Sequence, residues 1–237
     1  MKVIVRPDPA SAATAAAEVL ADRIADAVRA RGSCCIALSG GRTPWQMLER
    51  LRGLPVDWQA LHVFQVDERA VPDGDERRNA LRIRELLVRA GALPAPRFHA
   101  MPVDASQLAD AATEYARALV QNAGQPPVLD VVQLGLGDDG HTASLVPGDA
   151  LLGSARGEVG VSGVYQGTRR LTLTFAPLNR ARCVLWLVTG AAKAPALLKL
   201  VEGDEEIPAA RVARDQATVV ADAAAASLLK GDAARPD

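Results

Sequence analysis

Short apolar runs alternate with longer stretches of helical spacing along the whole chain. The runs at residues 3–5, 33–38, 61–66, 129–134, 170–175, 182–188 and 218–221 are brief and bounded by turn formers, which predicts strands. Between them, residues 10–30, 45–52, 77–90, 105–122 and 192–201 carry alanine-rich or helically periodic patterns, which predict helices. Regular strand–helix alternation is the signature of βα units. The chain is therefore expected to be an α/β protein with a mostly parallel sheet and helices on both faces. The segment Ala95-Pro96-Arg97-Phe98-His99-Ala100-Met101-Pro102 stays open between a short strand and an extended connection.

A chain of 237 residues, 49% apolar and 23% charged, can bury a full core without disulfides or metals. One domain over residues 1–237 suffices, with a frayed tail expected at 231–237. Aromatic residues make up only 3%, so Ala, Val and Leu must fill the interior. Trp45, Trp58 and Trp186 read as packing residues. His62 and His99 have no polar cluster beside them in sequence and read as structural or surface histidines. With a formal net charge of −1 and no basic block, neither nucleic acid nor an anionic membrane is expected as a partner. Any anion must be held by local groups. Cys34, Cys35 and Cys183 match neither a disulfide framework nor zinc-ligand spacing, and are expected as reduced core residues of a cytoplasmic protein. Residues 1–8 lack the apolar core of a signal peptide, and no uncharged apolar run reaches membrane-spanning length.

Chemistry concentrates in Gly135-Leu136-Gly137-Asp138-Asp139-Gly140-His141-Thr142-Ala143-Ser144, which sets one of only three histidines in a glycine-rich turn after an apolar run. In an open parallel sheet, ligands collect outside the carboxyl ends of the strands. An imidazole titrating near neutral pH serves there as a proton acceptor. The competing reading makes His141 a turn residue bonded to its own backbone. After residues 33–38 come Ser39-Gly40-Gly41-Arg42-Thr43-Pro44, where bare glycines and a helix N-terminus either cradle an anion or make a tight turn. Neither P-loop nor dinucleotide spacing is present. Asp67-Glu68-Arg69 follows the third run, and Arg69 either grips phosphate or neutralises the two carboxylates. Asn79 reads as a cap or loop brace. The Arg169-Arg170 pair and Lys193 supply further cations, Lys193 at a helix start where the macrodipole disfavours it unless an anion binds. Four such loops point to a pocket for a phosphorylated small molecule, with His141 as its base.

Five segments, in order, resemble the 6-phosphogluconolactonase family over almost the whole chain. They are Leu38-Ser39-Gly40-Gly41-Arg42-Thr43-Pro44, Asp67-Glu68-Arg69-Ala70-Val71-Pro72, the run from Gly135 to Gly148, Arg170-Leu171-Thr172-Leu173-Thr174 and Gly190-Ala191-Ala192-Lys193-Ala194. The resemblance implies a modified Rossmann-like fold and hydrolysis of 6-phospho-D-glucono-1,5-lactone to 6-phospho-D-gluconate in the oxidative pentose phosphate pathway, with no metal or cofactor. It implies water activation by His141 with Asp139 as its orienting partner, or alternatively Asp139 as a cap. Substrate contacts are implied at Ser39, Gly40, Gly41, Arg42, Thr43, Asp67, Arg69, Arg170 and Lys193. Backbone amides near Gly40, Gly41 or residues 135–142 are candidates to hold the oxyanion. A monomer or weak homo-oligomer is expected.

The chain departs from the family at two places. Arg42 stands where the family more often has Ser. Val164-Tyr165-Gln166-Gly167-Thr168-Arg169 replaces a Lys-Pro-Pro type segment, leaving Arg169 and Arg170 as competing phosphate ligands, of which the motif favours Arg170. Glucosamine-6-phosphate deaminases are the rival, but they carry Asn-Glu-Pro after the histidine where this chain reads Ser144-Leu145-Val146-Pro147. A non-catalytic sugar-phosphate sensor is a second alternative, lacking any basic helix for DNA. A Ser-His-Asp acyl-enzyme is disfavoured because Gly-x-Ser-x-Gly is absent.

Overall fold

A computed structural model describes residues 1–154 and 157–230; the tail expected to fray lies outside the described residues. The chain lays down β1 (Lys2–Arg6), α1 (Pro9–Arg31), β2 (Cys34–Leu38), α2 (Arg42–Leu51), β3 (Leu61–Gln65) and β4 (Asp67–Arg69). Next come α3 (Asn79–Ile83), β5 (Phe98–His99), α4 (Leu108–Ala123), β6 (Val131–Leu134), α5 (Leu151–Ser154), β7 (Val159–Val161) and β8 (Arg170–Leu173). α6 (Phe175–Arg180), β9 (Val184–Val188), α7 (Ala194–Glu202) and β10 (Ala217–Asp222) complete the order.

Seven strands form a parallel sheet in the order β1-β10-β9-β6-β2-β3-β5. Their side chains alternate between two cores. Ile36, Leu38, Val63 and Leu185 pack with α1 and α2, whereas Phe64, Val132, Leu134 and Trp186 pack with α4 and α7. Helices thus cover both faces, the α/β architecture expected. α1 begins where Asp8 accepts from the Ser11 amide at 2.8 Å and ends at Gly32, whose φ of 75° suits a left-handed cap. Ala12, Ala13, Ala16 and Ala17 on its inner face are 0% exposed, and their small side chains let the helix lie close to the sheet.

The run at 170–175 departs from expectation. Its strand, β8, lies antiparallel between β4 and β7 in a separate three-stranded sheet. The connection from Val161 to Arg170 is too short for a parallel crossover, which needs roughly a dozen residues or more. Phe175 opens α6 instead, where Thr174 caps the Ala176 amide at 3.3 Å and Pro177 has no N–H for a ladder. The helix expected over 77–90 starts at Asn79 and passes into a π-helical turn over Arg84–Arg89. Its start is fixed by the Glu68 carboxylate, which accepts from the Asn79 and Ala80 amides at 2.9 and 2.7 Å.

The ambiguous segment supplies β5 at the sheet edge. There His99 Nε2 lies 3.0 Å from His62 Nδ1, His99 stacks on Phe64, and Arg97 bonds His62 Nε2. The two histidines are structural, as expected, but they are polar neighbours in space. Burial pulls both rings below the usual histidine range, His99 to about 4 with His62 and Arg97 adding to the effect. All three cysteines are free and buried. Among the described residues no helix is long and apolar enough to cross a membrane.

Candidate active site

β2 and β6 are neighbours, yet the strands that follow β2 in sequence extend to one side of the sheet, and β9 and β10, which follow β6, to the other. Loops leaving such a pair diverge, which opens a crevice at the carboxyl ends of the strands. Ser39 and Gly40 border it from β2, and Gly135, Leu136, Gly137 and His141 from the turn after β6. The small sheet closes a third side: β4 follows β3 almost directly, and its pairing with β8 sets Arg69 directly opposite Arg170. The cleft holds about 200 Å³ and brings together Ser39, Gly40, Asp67, Arg69, His141, Arg170 and Lys193 of the expected set. Gly41, Arg42 and Thr43 line an adjoining recess that shares Gly40 and Lys193 with it. Arg42 is exposed there, and the Thr43 hydroxyl is 2.7 Å from that of Thr189. Asp139 does not line the cleft but stands beside the imidazole.

Asp139 Oδ1 lies 2.6 Å from His141 Nδ1 and also accepts the His141 amide at 3.1 Å, so it caps the turn and orients the ring together. Burial disfavours the Asp139 charge, but the hydrogen bonds from the His141 amide and ring outweigh it and hold the carboxyl below its ordinary range. A carboxylate only accepts, so the proton sits on Nδ1 and Nε2 presents its lone pair. The motif glycines follow from this packing. A Cβ on Gly137 would sit 2.0 Å from His141 Nδ1, one on Gly140 (φ 81°) would meet Ile207 at 2.4 Å, and one on Gly40 would meet Asn79 Oδ1 at 1.9 Å.

Arg170 is 4% exposed, and its Nε has no partner among the described residues. Its guanidinium lies 5.0 Å from the Tyr165 ring centre and donates to Gln166 Oε1 at 3.3 Å. Burial draws its pKa down, although a guanidinium stays charged. Arg169 turns to a neighbouring groove and donates to the Ser162 carbonyl at 3.4 Å. Arg69 donates to the Arg77 carbonyl at 2.8 Å and to Asn79 Oδ1 at 3.0 Å rather than to the adjacent carboxylates. Glu68 is occupied by the amides at 69, 79 and 80 and by Gln65, with Arg78 at 3.5 Å. Asp67 accepts from the Ser144 hydroxyl at 2.6 Å, so that serine is committed and fully buried. Lys193 lies 2.5 Å from Asp138, a carboxylate that supplies the negative charge its helix-start position calls for.

Three residues gain a place that the sequence reading did not give them. Asn79 lines the cleft and bridges Arg69 to the Asp67 carbonyl. Gln133 accepts the Ser39 amide at 3.1 Å, which withdraws that donor from the cleft; a polar residue within an apolar strand was the available signal. Tyr165 donates to Asp139 Oδ2 at 3.1 Å, and no local pattern announces that contact.

The chain is similar to known proteins over most of its length. Residues 7–221 match the sequence model described as "Glucosamine-6-phosphate isomerases/6-phosphogluconolactonase". A 6-phosphogluconolactonase of a Synechocystis species is 37% identical over 84% of this chain and 85% of that relative. One from Streptomyces coelicolor is 35% identical over 96% of this chain and 94% of the relative. The solved structure of a 6-phosphogluconolactonase from Trypanosoma cruzi superposes with a TM-score of 0.85 at 28% identity, covering 97% of each chain. The chain belongs to the glucosamine-6-phosphate isomerase/6-phosphogluconolactonase family.

Proposed function

We propose that this cleft hydrolyses 6-phospho-D-glucono-1,5-lactone in the cytoplasm, with His141 as general base. Nε2 of His141 takes a proton from water as its oxygen attacks the lactone carbonyl. The tetrahedral oxyanion then collapses, the ring C–O bond breaks, and the imidazolium returns its proton to the departing ring oxygen. Asp139 holds the tautomer that this cycle needs and stabilises the imidazolium midway. Arg69, Arg170 and Lys193 grip the phosphoryl group and so orient the ester. The amides of Gly137 and His141 are bonded to the His141 carbonyl and to Asp139. The amides of Gly40, Gly41 and Leu136 make no hydrogen bond among the described residues and are the donors available to the oxyanion in this scheme. The observation that carries the reading is a carboxylate-oriented imidazole in the same small cleft as three cations. Val146, buried and apolar, stands where the deaminase reading calls for a carboxylate.

Acid release at neutral pH from freshly prepared lactone, corrected for spontaneous hydrolysis, tests the proposal. The wild-type protein is expected to accelerate it and His141→Ala to lose about 100- to 10,000-fold. A wild-type rate equal to the spontaneous one, or ammonia release from glucosamine 6-phosphate, overturns the assignment. Equal turnover of unphosphorylated gluconolactone removes the phosphate grip from it.

A further inference from the structure

The segment joining β7 to β8, where the sequence departs from the family, folds back on itself. Tyr165 and Thr168 form an isolated bridge, with the Tyr165 amide donating to the Thr168 carbonyl at 2.9 Å. Gln166 and Gly167 take φ of 51° and 80° at the bend. This turn meets both chemical ends of the cleft. The Tyr165 hydroxyl donates to Asp139 Oδ2 at 3.1 Å and lies 3.5 Å from His141 Nδ1, while its ring stands edge-on to the imidazole at 5.3 Å. The same ring lies under the Arg170 guanidinium, and Gln166 Oε1 accepts from Arg170 Nη2.

We propose that the Tyr165-Gln166 turn is a positioning clasp: Tyr165 fixes the Asp139–His141 pair for proton transfer, and Tyr165 with Gln166 fixes Arg170 for the phosphoryl group. The proposal rests on the hydrolytic reading above. Asp139 needs such an anchor. Both of its bonds to His141 fall on Oδ1, and its side chain is 40% exposed, so without a donor on Oδ2 the carboxylate is free to swing about its terminal torsion. Tyr165 supplies that donor, and burial together with the Asp139 charge raises the phenol's pKa, which keeps the hydroxyl protonated. Arg170 has the matching need, because its buried Nε has no partner among the described residues to set the plane of the guanidinium. The Tyr165 ring face and the Gln166 carbonyl set it instead.

Three variants separate the two functions. Tyr165→Phe deletes the hydroxyl and keeps the ring under Arg170, so kcat is expected to fall about tenfold with KM within about twofold. Gln166→Gly suits the positive φ and deletes the amide, so KM is expected to rise about threefold with kcat little changed. Tyr165→Leu loses both contacts and should show both effects. The His141 Nδ1–H resonance, followed by NMR without substrate, should shift or exchange faster in Tyr165→Phe. A wild-type kcat with an unchanged resonance overturns the clasp, as does a loss of activity that tracks a lowered melting temperature. If the wild-type protein fails to hydrolyse the lactone while the resonance still responds to Tyr165→Phe, the hydrolytic reading falls and the clasp on the imidazole stands.

Discussion

Replacing Asp139 by Asn keeps the shape of the side chain and removes one charge, which isolates the electrostatic part of its pairing with His141. The amide oxygen can still accept from Nδ1 at 2.6 Å and from the His141 amide at 3.1 Å, and the new NH2 faces a Tyr165 hydroxyl able to turn and accept. What is lost is the carboxylate's hold on the imidazolium that forms as water is deprotonated. A hydrogen bond to a charged group is worth about 1.5–3 kcal/mol and a neutral one about 1 kcal/mol, a difference of about 0.5–2 kcal/mol. Asp139 is 40% exposed, so solvent screening puts the effect near the lower bound. At about 1.4 kcal/mol per decade, kcat is expected to fall about two- to fivefold. KM should hold, because Asp139 does not line the cleft. Asp139→Ala also releases the tautomer and should cost roughly tenfold more. Indicator-dye measurement of acid release gives these numbers directly. In a His141→Ala background Asp139→Asn should change nothing further, since both residues serve one proton transfer. A wild-type kcat in Asp139→Asn, or an undiminished loss in the His141→Ala background, refutes the pairing argument.

Gly137→Ala drives a methyl group to 2.0 Å from His141 Nδ1 and 2.5 Å from Asp139 Oδ1, so kcat is expected to drop about 100-fold with the circular dichroism spectrum retained; an undiminished kcat refutes this. Arg170→Met removes one of two like charges set directly opposite each other, so the ligand-free variant should melt a few degrees higher while losing the thermal shift given by 6-phosphogluconate. A lower melting point with the shift intact would refute it. His99 titrates near 4 when folded, against 6.5 in a free side chain, so the unfolded chain takes up the proton first as pH falls. Its contribution is complete above about pH 6.5 and is lost between there and about pH 4. Urea unfolding at pH 7 and pH 5 should therefore show an acid loss that His99→Gln reduces, and an equal loss in the variant removes His99 as the cause.

The parallel sheet was legible because each of its longer strands is a compact apolar run between turn formers, and because the order of βα units leaves few ways to stack them. The three-stranded sheet was not legible. β4 and β7 are three residues each, shorter than any periodicity can mark, and β4 ends in charges that read as a loop. Its register depends on pairs such as Asp67 with Thr172, far apart in sequence. The Gly135 to His141 turn could be read because its glycines, carboxylates and imidazole are consecutive. Tyr165 could not, since its partners Asp139 and Arg170 meet it only through that small sheet and its connecting turn.

The charge placement explains how a chain of net charge −1 can present an anion site without a basic surface. The carboxylates around the cleft are already engaged: Asp67 by Ser144, Glu68 by backbone amides, Asp139 by His141 and Tyr165. Arg69 and Arg170 are held by a carbonyl, two side-chain amides and an aromatic face, none of which neutralises them. Of the three cations, Lys193 alone is ion-paired among the described residues, and its Asp138 partner's side chain is 63% exposed. Pairs exposed to that degree contribute about 0–1 kcal/mol, so exchanging Asp138 for phosphate costs little, while the incoming anion relieves the opposed guanidinium charges. The field that would select a phosphorylated ester is therefore built from committed neighbours within one cleft, and the overall charge of the chain has no bearing on it.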